Sequence, residues 1–242
     1  MNKLSRDRTL SEQAYHALKE MILNMQPGDN RLPSEGDLAR SMGVSRATVR
    51  EALKRLMIDG ITTTIHGKGT FAHPSAFSAK NRMDVCSDFM RMLSSQYDRV
   101  TVDSQWFGTT ASSRFYKDCF GPQAEEAFTT GWLYVADGKP MLYGYYEICP
   151  AFLTREVTTR EAMISLPQFS ESFMRSPIDY CIMTARIGTD AAAQKKLKLS
   201  EGQPLLYWEE KIYDIDDHLV ATGTVYMHPD NMELSVVTRF EL

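Results

Sequence analysis

Between Leu32 and Gly60 the chain reads LPSEGDLARSMGVSRATVREALKRLMIDG, and its start and stop signals leave little choice of local structure. Ser34 follows Pro33 as an N-cap, Asp37 stands three residues on in a capping-box pattern, and Gly43 closes a short helix. Ser45 then caps another helix. Val49, Ala52, Leu53, Leu56 and Met57 give that helix one continuous apolar face before Gly60 stops it. Two short helices joined by the tight MGVS connection form a helix-turn-helix. Upstream, Ala14, Tyr15, Leu18, Met21, Ile22 and Met25 recur at helical spacing, predicting an amphipathic helix from Leu10 to Met25 that ends at QPGDN.

The polar side of the third helix carries Arg46, Arg50 and Lys54, four residues apart and away from its core-facing stripe. In a helix-turn-helix the second helix enters the major groove with its first turn toward the base edges. From that turn the Arg46 guanidinium can donate two parallel hydrogen bonds to guanine O6 and N7, a contact that discriminates by roughly 1–3 kcal/mol. Arg50, one turn deeper, reaches a base edge or a phosphate, and the Ser45 and Thr48 hydroxyls suit phosphate oxygens. Lys54 and Arg55 are expected nearer the DNA backbone. After Gly60, ITTTIHGKGTFAHP places β-branched residues on either side of a glycine-rich tip, which predicts a β-hairpin turning at His66–Gly69. In this position a hairpin is a wing. Its glycines let the backbone approach closely, and His66 and Lys68 can lie in or beside the minor groove.

The pattern LPSEGDLARSMGVSRATVREALKRL followed by GKGTF resembles the winged helix-turn-helix of GntR-family bacterial transcriptional regulators over about residues 10–73. The resemblance implies DNA contact at Ser45, Arg46, Thr48, Arg50, His66 and Gly67. Members of that family usually carry an arginine directly after the LPSE glutamate. Gly36 stands there instead, so position 36 is left out of the implied contacts.

Charge divides along the chain in the same sense. Residues 1–75 hold eleven Lys/Arg against eight Asp/Glu, net +3, leaving sixteen against twenty-three, net −7, for residues 76–242. A modest positive lobe on an acidic body suits contact with a polyanion at one end. The four cysteines, Cys86, Cys119, Cys149 and Cys181, form no CxxC or CxxH pair, and the five histidines form no HExxH set. Reduced thiols, no metal and no cofactor are therefore expected. No run approaches the roughly 18 apolar residues of a membrane span, and the first dozen residues mix charges without an apolar signal core, so a cytoplasmic address is expected.

HPSAFSAKNR, from His73 to Arg82, has turn formers and few large apolar residues and reads as linker. The expected division is 1–73 for the DNA-binding domain, 74–89 for the linker and 90–242 for a second domain. In that domain WLYVA, LYGYYEI, LLYWEEKIYDI and LVATGTVYM are strand-like, while DVCSDFMRML, TREAMISLPQFSESFM and DAAAQKKLKL fit helices, which makes the class α+β. Tyr134, Asp137, Gly138 and Gly144 are echoed 79 residues later by Tyr213, Asp216, Asp217 and Gly223, each copy reading as strand, tight turn and returning strand.

This layout is similar to the UTRA effector-binding domain of the HutC-type subfamily of GntR regulators over about 90–242. The resemblance implies a chorismate-lyase-like antiparallel sheet with helices, a small-molecule cavity and a homodimer. Many such relatives hold sugar phosphates with strand arginines; here Trp132 and Tyr134 precede the first turn, and Glu209 and Glu210 lie in the second strand. Alternation puts Trp208 and Glu210 on one face with Leu206 and Ile212, and Tyr207 and Glu209 on the other. The expected effector site is Trp132, Tyr134, Trp208, Glu210 and Tyr226, an aromatic wall with a carboxylate suited to an amine-containing or neutral metabolite. The expected function is a ligand-responsive repressor that binds a palindromic operator as a dimer. The alternatives are the same regulator with a sugar-phosphate effector, a lyase-like enzyme, or an architectural DNA binder. Neighbours such as Glu209–Glu210 face opposite ways along a strand, no nucleophile–base set is evident, and GKG lacks the rest of a P-loop, so no catalytic residue is expected.

Overall fold

The computed structural model of the chain describes residues 9–26, 28–79, 82–84, 88–157 and 165–238. It divides into two compact units, Met1–Val85 with Leu234–Leu242, and Cys86–Glu233. No described helix is long and apolar enough to cross a membrane.

The first unit is built on three helices whose starts are the expected ones. Helix α1 (Leu10–Leu23) opens with a reciprocal cap in which the Thr9 side chain accepts from the Glu12 N–H and the Glu12 carboxylate accepts from the Thr9 N–H. Ser34 caps α2 (Glu35–Met42), which Gly43 ends at φ 66°, and Ser45 caps α3 (Arg46–Ile58). The apolar stripes meet in one core, with Leu18, Ile22, Val49 and Leu56 fully buried and Leu38 almost so. Burying each side chain of this kind contributes about 1.5–3 kcal/mol, so the stripe of α3 fixes which of its faces remains outside.

The wing consists of β1 (Thr62–Ile65) and β2 (Gly69–Ala72), paired from Thr62↔Ala72 to Ile65↔Gly69. The chain entering α2 lies against its outer edge, because the Leu32 N–H donates to Thr70 O and the Ala72 N–H donates to Asn30 O. Wing and α2 are thus tied by backbone. The segment read as linker begins with a four-residue helix, α4 (Pro74–Phe77). Farther on, Arg82 bridges Ser235 and the Met83 N–H donates to Ser235 O, so the segment around Ser235 also belongs to this unit.

The second unit is a six-stranded antiparallel sheet. Its strands are β3 (Val100–Ala111), β4 (Glu126–Ala136), β5 (Lys139–Ile148), β6 (Ile178–Gly188), β7 (Leu205–Asp214) and β8 (Leu219–Met227), in the order β3-β4-β5-β8-β7-β6. With α6 (Arg114–Phe120) and α8 (Ala191–Leu197) they form two successive strand–helix–strand–strand repeats joined at β5–β8. The 79-residue echo falls on the paired hairpins β4–β5 and β7–β8. Asp137 (φ 47°) and Gly138 (φ 78°) turn the first, and Asp217 (φ 64°) sits in the turn of the second. Helices α5 (Phe89–Ser94) and α7 (Leu166–Phe173) cover one face, where Phe89 meets Tyr134 and Trp208 and Phe169 stacks on Phe128. On the other face α8 packs Ala193 and Leu197 against Tyr143 and Leu205, and Ser113, which caps α6, is bound to Glu147.

The strand-like runs lie within or overlap β4, β5, β7 and β8. The helix expected at 84–93 is represented by α5 and that at 159–174 by α7; residues 85–87 and 158–164 lie outside the described ones. Strands β3 and β6 and helix α6 were not expected. Among the described residues Cys119, Cys149 and Cys181 are unbridged and half-buried.

One row across the central strands fixes the geometry of the covered face. Tyr146, Gly223 and Glu210 are register partners on β5, β8 and β7. A Cβ on Gly223 would stand 2.7 Å from two carbons of the Tyr146 ring and 3.2 Å from Glu210 Oε2. The glycine is therefore the floor on which the buried tyrosine rests. We expect Gly223→Ala to destabilise the protein by about 1–3 kcal/mol through overpacking, read from urea denaturation. A change near zero would show that the Tyr146 ring is not held against this backbone.

Candidate nucleic-acid interface and ligand cavity

On α3 the capping chemistry and the exposed chemistry share residues. Ser45 Oγ accepts from the Thr48 N–H at 3.1 Å and lies 2.8 Å from Thr48 Oγ1, so both hydroxyls are used in starting the helix. Arg46 follows on the exposed side, with its guanidinium 3.2–3.4 Å from where a Cβ of residue 36 would stand. Gly36 thereby leaves room for Arg46 to lie across α2.

Arg50 is engaged differently from its sequence reading. Its Nε donates to both Glu35 carboxylate oxygens at 3.1 and 3.2 Å, and its Nη2 donates to Oε2 at 2.7 Å. These hydrogen bonds, with the charges of Arg50 and Arg46, hold the Glu35 carboxyl below its ordinary range against a smaller effect of burial. Glu35 was missed by sequence reasoning because its partner is fifteen residues away on another helix. Arg55, expected near the DNA backbone, has its guanidinium 4.5 Å from the centre of the Tyr15 ring. His66 and Gly67 (φ 74°) stand exposed at the wing tip. At the base of the loop Gly69 (φ 112°) accommodates Arg31, whose Nε is 3.0 Å from the position of a Cβ. Arg31 is exposed and carries another positive charge to the wing, a placement that only the backbone pairing of residues 30–32 reveals.

The second unit holds a cavity of about 130 Å³ on the face covered by α5 and α7. Two of the five expected effector residues, Tyr134 and Glu210, line it. Trp208 lies behind Glu210 and donates from Nε1 to Glu210 Oε1 at 2.5 Å. Trp132 is fully buried with its ring 4.9 Å from that of Tyr146, and among the described residues its Nε1 has no hydrogen-bond partner. Tyr226 is on the opposite face, because its register partners are Tyr143 and Tyr207 and its ring packs against both of theirs. The alternation expected along β7 does place Trp208, Glu210 and Ile212 inward.

Two buried glutamates show what distinguishes the cavity. Glu147 accepts from the Ser113 N–H at 2.6 Å and from its Oγ at 2.5 Å. Glu210 is equally enclosed, at 4% exposure, yet among the described residues its hydrogen-bond partner is the Trp208 indole alone and no basic group pairs with it. Burial pushes its carboxyl up to about 7, with the Trp208 hydrogen bond acting in the opposite direction.

Two other groupings are accounted for by their own partners. A wider cleft on the opposite face includes Arg114, Asp118, Arg186 and Glu209, but Arg186 pairs with Glu209 at 2.7 Å and Arg114 faces Asp118 at 3.9 Å. Asp214, Asp216 and His218 bring oxygen and nitrogen atoms within 4.8 Å of one another, where scattered histidines had suggested no cluster. There Asp214 Oδ1 already accepts from the Asp216 and His218 N–H groups and so braces the β7–β8 turn.

Residues 10–72 match the family model described as bacterial regulatory proteins, gntR family. The HTH-type transcriptional repressor YtrA of Bacillus subtilis is 31% identical over 99 residues, 40% of this chain and 72% of that one. The HTH-type transcriptional repressor NagR of the same organism is 26% identical over 222 residues, 89% of this chain and 86% of that one. With the fatty acid metabolism regulator protein of Haemophilus influenzae the likeness, at 46% identity, is confined to 55 residues, 23% of this chain and 23% of that one. Among solved structures, the possible transcriptional regulator YydK from B. subtilis superposes with a TM-score of 0.77 at 15% identity, covering 96% of this chain and all of that one.

The environment of Glu210 has a consequence for stability. Its folded carboxyl titrates near 7 against an ordinary 4.5, so the unfolded chain ionises first. Stability from this group is complete below about pH 4.5, declines as pH rises, and is lost above 7, a difference of about 3 kcal/mol. We expect Glu210→Gln, which cannot ionise, to gain stability relative to the parent between pH 5 and pH 8 in urea denaturation. An offset identical at both pH values would contradict this account of the carboxyl.

Proposed function

This chain belongs to the GntR family of bacterial regulatory proteins, and from that premise we propose that it is a cytoplasmic, ligand-responsive repressor of the HutC type. In this reading residues 1–73 bind DNA, 74–89 link, and 90–242 form a UTRA-like effector-binding domain. Two copies in a twofold dimer grip a palindromic operator, with one α3 in each of two successive major grooves. The observation that carries the reading is the exposed face of α3, where Arg46 lies outward from the first turn above an apolar stripe buried in the core.

Arg50 contributes through exchange. Its pair with Glu35 is exposed on both sides, and exposed pairs are held weakly, so a DNA phosphate can replace the carboxylate as partner of the guanidinium. Ser45 and Thr48 bring the start of α3 to the backbone, and His66 and Gly67 bring the wing tip to the adjacent groove.

The effector is a small amine-containing or neutral metabolite in the cavity beside Tyr134 and Glu210. A sugar phosphate is disfavoured because the described lining contains no Lys, Arg or His. Binding shifts the population between a geometry that fits the operator and one that does not, for which about 1–3 kcal/mol of coupling suffices.

Selection of genomic fragments by the purified full chain, followed by footprinting, tests this function. The expected result is protection of a few palindromic sites. Arg46→Ala should weaken binding to them by about 5- to 150-fold, the equivalent of 1–3 kcal/mol. Protection without sequence preference, or unchanged affinity in the Arg46→Ala, Arg50→Ala double variant, would overturn the reading.

A further inference from the structure

We infer that the cavity between the sheet and helices α5 and α7 takes a small organic cation of the alkylammonium type, with Glu210 as its counter-ion. This deepens the effector reading above and rests on it for its regulatory meaning. The lining sets the buried carboxyl of Glu210 among the rings of Phe89, Tyr134 and Tyr146, with Asp88, whose Oδ1 caps α5, and exposed Asp179 as its other acidic residues, and among its described residues there is no Lys, Arg or His. The charges among the described lining residues have one sign.

Glu210 supplies the specific contact. It lies on the inward side of β7 and lines the cavity, Trp208 holds its Oε1, and its Oε2 stands beside the Tyr146 ring that rests on Gly223. A carboxylate enclosed this fully is unfavourable without a positive partner. An ammonium group provides one, with three donors for the carboxylate and a charge that aromatic faces attract. A neutral ligand would gain nothing from the Glu210 charge, and an anion would be opposed by it. The volume of about 130 Å³ is near that of an engineered cavity that holds benzene, so the cation has only a few carbon atoms.

The surroundings also set the direction of its pH dependence. Around Glu210 the lining supplies Tyr134 from β4, Tyr146 from β5, Cys181 from β6 and Asp88 from the start of α5, while exposed Asp179 stands at the β6 rim and Tyr180 turns its ring away to stack on Tyr213. Burial holds the Tyr134 and Tyr146 hydroxyls far above neutrality and pushes the Cys181 thiol up to about 12, so these groups stay uncharged. Glu210 itself titrates near 7. Binding of an ammonium ion therefore ionises Glu210 and releases its proton to solvent. The affinity rises with pH, by up to about tenfold between pH 6 and pH 8.

Three probes of one length and different charge test this on the full-length chain: n-butylammonium, 1-butanol and butyrate, with binding followed by ligand-observed NMR. We expect n-butylammonium to bind most tightly and to tighten up to about tenfold from pH 6 to pH 8, and Glu210→Gln to abolish both the preference and the trend. Tighter binding of 1-butanol or butyrate, no binding of n-butylammonium, or an affinity for it that ignores pH would each overturn the assignment. The pH trend of the parent protein decides the matter even if the variant fails to fold. Operator affinity measured in the same samples separates the two ideas. If n-butylammonium binds with the stated trend while operator affinity does not change, the cation site stands and the effector reading fails.

Discussion

The seam between β5 and β8 is the constraint on which the second unit depends. Two repeats of strand, helix and hairpin each leave one hairpin strand without an outer partner, and antiparallel pairing from Leu142↔Met227 to Ile148↔Ala221 joins them into one sheet. The register decides which side chains meet. It sets Tyr146 over Gly223 beside Glu210 on one face, and Tyr143 against Tyr226 on the other. A slip of one residue would exchange the faces, placing Glu210 among the helices α6 and α8 and removing the cavity. The cavity is thus a property of the seam rather than of any single strand.

The first unit follows the same logic at smaller scale. The buried stripe of α3 settles which side of the helix is outside, and the Ser45 cap settles where its first turn begins. Those two conditions place Arg46. Glu35 and Gly36, consecutive on α2, then act on the two arginines in different ways: the carboxylate holds Arg50, and the missing side chain leaves space for Arg46. Between them they define the electrostatic face that α3 presents.

The N-terminal helices were legible because their signals are local. A capping serine, a stop glycine and a 3.6-residue stripe all act within a few residues of one another. The paired hairpins were legible for a similar reason, since tight turns between aromatic and β-branched runs need no distant partner. Strands β3 and β6 were not. Each is an outer strand of the sheet with many exposed positions, so neither carries a long apolar run, and β3 also has a register shift between Ser104 and Trp106. In the site, alternation along β7 was enough to turn Glu210 inward. Whether Tyr226 shares its face depends on pairing across strands, which a single sequence does not display. The Glu35–Arg50 pair was hidden in the same way, because it exists only once α2 and α3 have been docked.

The central claim is that the start of α3 and the tip of the wing together form the DNA-binding face. Backbone hydrogen exchange of the full chain, with and without a duplex selected by the protein, tests it most directly. The account predicts that added duplex slows exchange at residues 45–50 and at the His66–Gly67 tip, while the sheet of the second unit keeps the exchange pattern of the free protein. Slowed exchange confined to the second unit, with both of those segments unchanged, would contradict it.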